Sequence, residues 1–430
     1  MKTRTHWNVN SSKIAEKTCN PIRSLFEVLK LEPNPEKQMI ALSLGDPTVF
    51  GNLNPSDEAR EAIIDSVNSM KFNGYAPSTG YEIARKAVAE YASTPEAELS
   101  PRDVILTSGC SHALDLCITV IANPGQNILV PRPGFPLYRT LAEGLGIETK
   151  HYNLLPERGW EIDLDDLESQ IDSQTVAIII NNPSNPCGSV FSRFHLQEIL
   201  KVAERNFIPI IADEIYDYFV FPGFEFIPIA SLSTNVPILT CGGLTKRHLV
   251  PGWRMGWILI HDRNDVFEAS IRNGLLSLSQ RIIGSNTIVQ GALPAILNNT
   301  PQSFFDETIE IVNSNAKFAH SYLSKIPGLH PITPAGAMYM MVYIEMSCFP
   351  DIKHDTHFME ALISEQSVSC LPGSCFDFPD YIRIVLTLPE EQLKEACERI
   401  EQFCYNHYAV PKTNDRPTDL FLQQMITMPV

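Results

Sequence analysis

The chain lacks a membrane span, a basic face and a metal-binding motif, and each absence removes a class of function. No apolar run nears the roughly 20 residues that cross a bilayer. Residues 1–17 carry no apolar core of a signal peptide. Basic side chains number 33 against 50 acidic ones, a formal net charge of −17. Nucleic acid and anionic membrane surfaces both need a basic face, so neither is expected as a partner. The ten cysteines show no CxxC and no Cys/His spacing that assembles a metal site, so no metal is expected. Cys110 and Cys117, like Cys397 and Cys404, lie seven apart in helical-looking stretches, which puts each pair on one face as core thiols. Unpaired buried thiols fit a reducing compartment. Cytoplasmic residence is the expectation, with a mitochondrial copy left open.

What is present reads as α/β. The 430 residues are 44% hydrophobic and 19% charged, an ordinary globular composition of a length for two or three domains. Five short apolar stretches each end in a polar turn. Residues 103–107 run into Ser108, 127–130 into Phe135, 175–180 into Asn185, 207–212 into Asp213 and 237–240 into Lys246. In open α/β sheets the carboxyl ends of the strands line the ligand crevice, so these turns are expected to meet. Helices are expected at 57–67, 81–91, 113–122 and 193–205, the last capped by Ser192. Helical character is expected to dominate from 258 to about 325, before a second α+β region.

The stretch 238–257, ILTCGGLTKRHLVPGWRMGW, carries the sharpest chemistry. Lys246 follows a glycine pair, and Arg254 stands eight residues on, past a proline-glycine break. An amine and a guanidinium converging on one point suit a small ligand with both an aldehyde and a phosphate. The amine forms a Schiff base, and the planar guanidinium grips phosphate oxygens. The bland alternative is a surface loop with two solvated cations.

With pyridoxal 5′-phosphate as that ligand, each turn acquires a task. Lys246 binds the aldehyde and, once freed, moves the proton of the substrate α-carbon. Asp213 pairs with the pyridine nitrogen and keeps it protonated. Tyr216 and Asn185 hydrogen-bond the ring's phenolic oxygen, and Phe135 stacks on the ring. The amides of Gly109, Cys110 and Ser111, at a helix N-terminus, hold the phosphate together with Arg254. Arg383 clamps the substrate carboxylate with two bonds. Taken singly, 108–112 also reads as a plain capped βα turn and Phe135 as a core plug.

The motifs that carry these residues resemble the fold-type I aminotransferase family over roughly residues 19 to 408. They are NPIR at 20–23, SLGDPTVFGNL at 43–53, NGYAPSTG at 73–80 and LTSGCSHALDLC at 106–117. VPRPGFPLY at 130–138, NNPSNPCGSVFS at 181–192, ADEIY at 212–216 and CGGLTKRHLVPGWRMGW at 241–257 follow. GAMYMMV at 336–342 and IRIV at 382–385 complete the set. The resemblance implies a large domain with a seven-stranded mixed sheet and a smaller α+β domain built from both chain ends. It implies a homodimer with shared active sites, to which Tyr75 lends a phosphate contact across the interface. Gly45, Asn185, Arg281 and Arg383 become substrate contacts, Arg281 for a second carboxylate. The implied reaction moves the amino group of an aromatic amino acid, tyrosine foremost, to 2-oxoglutarate, as in tyrosine breakdown. Alanine, kynurenine or broad aromatic specificity is the alternative. Thr245 and His248 depart from the Ala and Trp expected in the lysine loop, and residues 284–286 depart from a Gly-Pro-Cys-like run. His248 reads as a packed loop residue.

The expected division is 1–18 disordered, 19–70 an N-terminal arm with part of the small domain, 71–315 the large domain, 316–410 the small C-terminal domain and 411–430 a flexible tail.

Overall fold

The computed structural model describes residues 7, 9–28 and 32–411. Its strands, in chain order, are β1 (Ile40–Ala41), β2 (Val104–Thr107), β3 (Asn127–Arg132), β4 (Glu148–Leu155), β5 (Glu161–Ile162), β6 (Thr175–Asn181) and β7 (Ile210–Asp213). They continue with β8 (Ile238–Gly243), β9 (Gly256–His261), β10 (Leu329–Pro331), β11 (Tyr339–Ile344), β12 (Val368–Ser369), β13 (Leu371–Pro372) and β14 (Tyr381–Val385).

The large sheet has the order β2-β9-β8-β7-β6-β3-β4-β5. It has eight strands rather than seven, because the two-residue β5 folds back antiparallel on the end of β4, pairing Leu154 with Ile162. β8, β7, β6, β3 and β4 run parallel. β9 lies antiparallel between β8 and β2, so β2 points the same way as the parallel set. Six strand ends, those of β2, β3, β4, β6, β7 and β8, therefore open on one edge, and β9 starts at that edge.

The apolar runs are continuous because both faces are covered. Along β6, Ala177 and Ile179 join the cluster beneath the helix Cys110–Ile121, while Ile178 and Ile180 join the one beneath Arg193–Arg205. β7 and β8 alternate in the same way, with Ile211 and Leu239 on the first side and Ile210 and Ile238 on the second. Each of these buried isoleucines and leucines contributes about 1.5–3 kcal/mol. Ser192 caps the helix Arg193–Arg205 by accepting the His195 N–H at 3.2 Å.

A second sheet, β10-β11-β14-β13, is antiparallel, and β1 pairs with β12 from the far end of the chain. Gly188 stitches the two sheets, its carbonyl accepting the N–H groups of Ala335 at 2.8 Å and Gly336 at 2.9 Å. A Cβ on Gly188 would lie 2.5 Å from the Tyr339 carbonyl, so the backbones meet only through a glycine.

The described residues depart from the sequence reading at three points. The stretch 1–18, expected to be disordered, contains a helical turn at Lys13–Lys17, because Ser12 caps it through the Ala15 N–H at 3.2 Å. Just beyond the turn, Thr18 packs on Gly144. Residues 1–6 and 8, and the tail from 412 on, lie outside the described residues. The strand β9 runs three residues past 258, where helix was expected. β4 was not anticipated, since Lys150, His151 and Asn153 dilute its apolar pattern.

All ten cysteines are free, nine of them buried, including both spaced pairs. Among the described residues no helix is long and apolar enough to cross a membrane.

Candidate active site

Lys246 leaves the edge just after β8. The preceding glycines let β9 close on β8: a Cβ on Gly242 would lie 2.6 Å from Trp257 Nε1, and one on Gly243 2.6 Å from the Met255 carbonyl. Lys246 Nζ donates to the Gly45 carbonyl at 2.5 Å and stands 5.6 Å from the Tyr216 ring centre.

Arg254 turns back toward the same edge through a left-handed backbone, φ 52°. Its Nη2 donates to the Ser108 carbonyl at 3.2 Å and its Nη1 to the Pro251 carbonyl at 3.0 Å. A Cβ on Gly109 would collide with this guanidinium, and Gly109 itself has φ 78°. The helix Cys110–Ile121 begins here, so the first-turn N–H groups of Cys110 and Ser111 have no intrahelical acceptor. The Gly109 amide belongs to the expected phosphate set. It donates to the Thr107 carbonyl at 2.9 Å and is committed to the turn. The Ser108 N–H is held by His112 Nδ1 at 3.2 Å.

Asp213 is buried at the end of β7. Tyr138 Oη donates to its Oδ2 at 2.6 Å, while Oδ1 accepts the Ile215 N–H at 3.3 Å and Cys110 Sγ at 3.7 Å. Burial raises its pKa, and these donors, with the charge of Lys246, offset only part of that rise. Phe135 lies edge-on to Tyr138 with ring centres 5.8 Å apart.

Across the cleft, Arg383 on β14 is buried. Its Nη1 donates to Asn185 Oδ1 and its Nη2 to the Ser43 carbonyl, both at 2.9 Å. Its Nε is buried with no hydrogen-bond partner. The guanidinium lies 4.2 Å over the Tyr339 ring and 5.1 Å from that of Phe376. Tyr339 Oη is 2.7 Å from Tyr216 Oη, and a Cβ on Gly45 would fall 2.7 Å from it. Burial acts to raise Tyr339, yet the charges of Lys246 and Arg383 and hydrogen bonds with Tyr216 and Lys246 bring it below the usual phenol value. Burial raises Tyr216 well above it.

The structure thus brings together Lys246, Asp213, Tyr216, Asn185, Arg254, Arg383, Gly45, Phe135 and the start of helix Cys110–Ile121. Tyr75 is 90% exposed and Arg281 is exposed at the end of helix Ile271–Ser279. No described hydrogen bond joins either side chain to the cluster. His248 is buried edge-on to Phe305, and burial lowers its pKa to about 3, as suits a packed loop residue. Sequence reasoning missed Tyr138 and Tyr339. Tyr138 stands three residues after Phe135, and Tyr339 lies inside a motif that gave it no task.

Pyridoxal 5′-phosphate fits this donor set. The space a Cβ would fill at Gly109, the adjacent first-turn amides and Arg254 suit a phosphate. Asp213 suits a protonated ring nitrogen, and Lys246 an aldehyde. A separate cavity of about 30 Å³, lined by Tyr91, Glu214, Asp217, Thr240 and His261, is water-sized and lies on the sheet face away from helix Cys110–Ile121. Among the described residues no group of His, Cys, Asp and Glu could hold a metal ion.

Comparison with known proteins agrees with this geometry. A family profile described as aminotransferase class I and II matches residues 37–400. Tyrosine aminotransferase of Mus musculus is 59% identical over 405 residues, covering 94% of this chain and 89% of that one. Its Homo sapiens counterpart is 58% identical, with the same coverage. The crystal structure of tyrosine aminotransferase from Leishmania infantum superposes with a TM-score of 0.90 at 37% identity, covering 94% of this chain and all of that one. With a match of that extent joined to a lysine, an aspartate and two arginines held in one cleft, the chain belongs to the class I and II aminotransferase family.

Proposed function

We propose that this enzyme transfers the amino group of L-tyrosine to 2-oxoglutarate, giving 4-hydroxyphenylpyruvate and L-glutamate. The choice of donor is supported by the high identity to relatives that are named for tyrosine. The observation that carries the chemistry is the pairing of Lys246, on the edge of one sheet, with Arg383, facing it from the other through Tyr339. Pyridoxal 5′-phosphate, the family's cofactor, supplies an aldehyde that accepts the amino group and a ring that spreads the electron pair left on the α-carbon.

The chain's residues do the rest. Arg383 Nη1 and Nη2 are already spread between Asn185 and Ser43, so the guanidinium is fixed in plane to receive the α-carboxylate. Lys246 Nζ, beside the Gly45 carbonyl, takes the proton from the substrate α-carbon. Asp213 would face the ring nitrogen as a carboxylate, and Tyr216 and Asn185 would face the phenolic oxygen. Cys110 N, Ser111 N and Arg254 would hold the phosphate, and Phe135 would pack on the ring.

Residues 71–315 act as the cofactor-binding unit, and 19–70 with 316–410 as the smaller one that brings Arg383. A homodimer is supported by the apolar side chains left at the surface: Met70, Tyr75 and Ile283 are 71%, 90% and 58% exposed. In that dimer Tyr75 lends its hydroxyl to the other subunit's phosphate, and Arg281 serves the second carboxylate of glutamate. Ten free thiols support a reducing compartment such as the cytosol.

The test is spectral. The visible band of the cofactor-loaded enzyme should bleach with tyrosine and return with 2-oxoglutarate. Faster bleaching by alanine or kynurenine than by tyrosine would overturn the choice of donor.

A further inference from the structure

Asp213 is served by donors from three separate pieces of chain. Tyr138 reaches Oδ2 at 2.6 Å from the first turn of helix Leu137–Gly144. Cys110 approaches Oδ1 at 3.7 Å from the first residue of helix Cys110–Ile121. The Ile215 N–H, two residues on in its own chain, completes the set at 3.3 Å. Every one of these groups is buried. The Tyr138 ring is fixed by Phe135, which meets it edge-on at 5.8 Å, so the loop that presents Phe135 also aims the phenol.

A buried carboxylate is costly to keep charged, and donors to the charged form are what hold it there. Burial and the Asp213 charge push the Tyr138 phenol well above its usual value, so it keeps its proton and can only donate toward Oδ2. Burial does the same for the Cys110 thiol.

We propose that Tyr138 is a positioning residue that, with help from Cys110, keeps Asp213 ionised and aimed so that the cofactor's ring nitrogen retains its proton. This rests on the assignment of Asp213 to that nitrogen. Without the Tyr138 donor, Oδ2 becomes more basic. The proton lying between carboxylate and ring nitrogen then moves toward Asp213, leaving a neutral pair and an uncharged ring. Tyr138 acts through Asp213 and touches neither substrate nor reacting carbon.

The test uses holoenzyme loaded with pyridoxal 5′-phosphate labelled with ¹⁵N in the ring, read by NMR. The wild-type resonance should be that of a protonated nitrogen. Tyr138→Phe keeps the ring packing and should move the resonance toward unprotonated pyridine, with cofactor bound about five-fold more weakly. Cys110→Ala should move it the same way by less, and it carries the test should Tyr138→Phe not fold. Tyr152→Phe is the control. It loses an equally buried hydroxyl, one that donates to the Ile179 carbonyl at 2.6 Å, and should leave the resonance in place. A Tyr138→Phe resonance identical to wild type, or an equal shift in Tyr152→Phe, overturns the inference about Tyr138. An unprotonated nitrogen in the wild type overturns the Asp213 assignment itself, and the inference with it.

Discussion

Tyr216 and Tyr339 hold their hydroxyl oxygens 2.7 Å apart, although one follows β7 of the large sheet and the other opens β11 of the small one. The contact joins the two halves of the cleft at the point where Lys246 and Arg383 meet, and both charges lower the Tyr339 phenol. Tyr339→Phe removes its hydrogen bonds with Tyr216 and Lys246, a combined loss of at least about 1 kcal/mol. We expect kcat/KM to fall at least roughly five-fold for every amino donor, since the hydroxyl faces the part common to all. Steady-state kinetics with tyrosine and phenylalanine check this. A fall confined to one donor would assign Tyr339 to side-chain selection instead.

Gly109→Ala should damage the phosphate site more than its size suggests. The residue sits at φ 78°, and a new Cβ would meet the Arg254 guanidinium. That backbone, φ 78° with ψ 167°, is a region essentially reserved for glycine and alone costs a side chain about 1–3 kcal/mol. The arginine can swing away, but only by leaving the place proposed for the phosphate. Cofactor affinity should drop by about ten-fold or more, read by equilibrium dialysis. Unchanged affinity would remove Arg254 from the phosphate site.

Arg383→Lys tests the carboxylate clamp. A lysine offers one point charge where the guanidinium spans Asn185 and the Ser43 carbonyl. KM for both amino and oxo acids should rise by at least roughly ten-fold while cofactor affinity holds, because losing a charged hydrogen bond costs about 1.5–3 kcal/mol. Titration of the holoenzyme with a non-reactive carboxylate analogue separates binding from turnover.

The C-terminal helix, Glu390–His407, is clamped by a pH-sensitive contact. His407 Nδ1 lies 2.5 Å from Asp351 and Nε2 2.9 Å from Glu365. Burial acts to lower its pKa, but the hydrogen bonds and charges of the two carboxylates win and raise it. A group raised on folding contributes fully below its unfolded value of about 6.5, and loses that contribution as pH climbs through the folded value. Tm measured from pH 5.5 to 9 should therefore fall more steeply in the wild type than in His407→Gln. Parallel curves would contradict this.

Much of the cleft was legible because a polar landmark stands immediately after each apolar run, and parallel strands bring such landmarks to one edge. Lys246, Asp213 and Asn185 were readable for that reason, and Arg254 from its place eight residues past Lys246, beyond a proline-glycine break. Tyr138 and Tyr339 were not, since their partners lie 75 and 123 residues away and no local pattern encodes such a pairing. The commitment of the Gly109 amide to Thr107 is likewise a matter of turn geometry, not of composition. In the fold, β6 and β7 announced themselves as continuous apolar runs buried on both faces. β4 did not, because Lys150, His151 and Asn153 are only half-buried and break its pattern. The eighth strand, β5, is two residues long and exists only through its pairing with β4.

The central claim is that the Lys246 amine holds the cofactor's aldehyde. Reducing the holoenzyme with borohydride, digesting it and mapping the peptides by mass spectrometry tests this most directly. The account predicts a pyridoxyl group on Lys246; a group found on any other lysine, or on none, would contradict it.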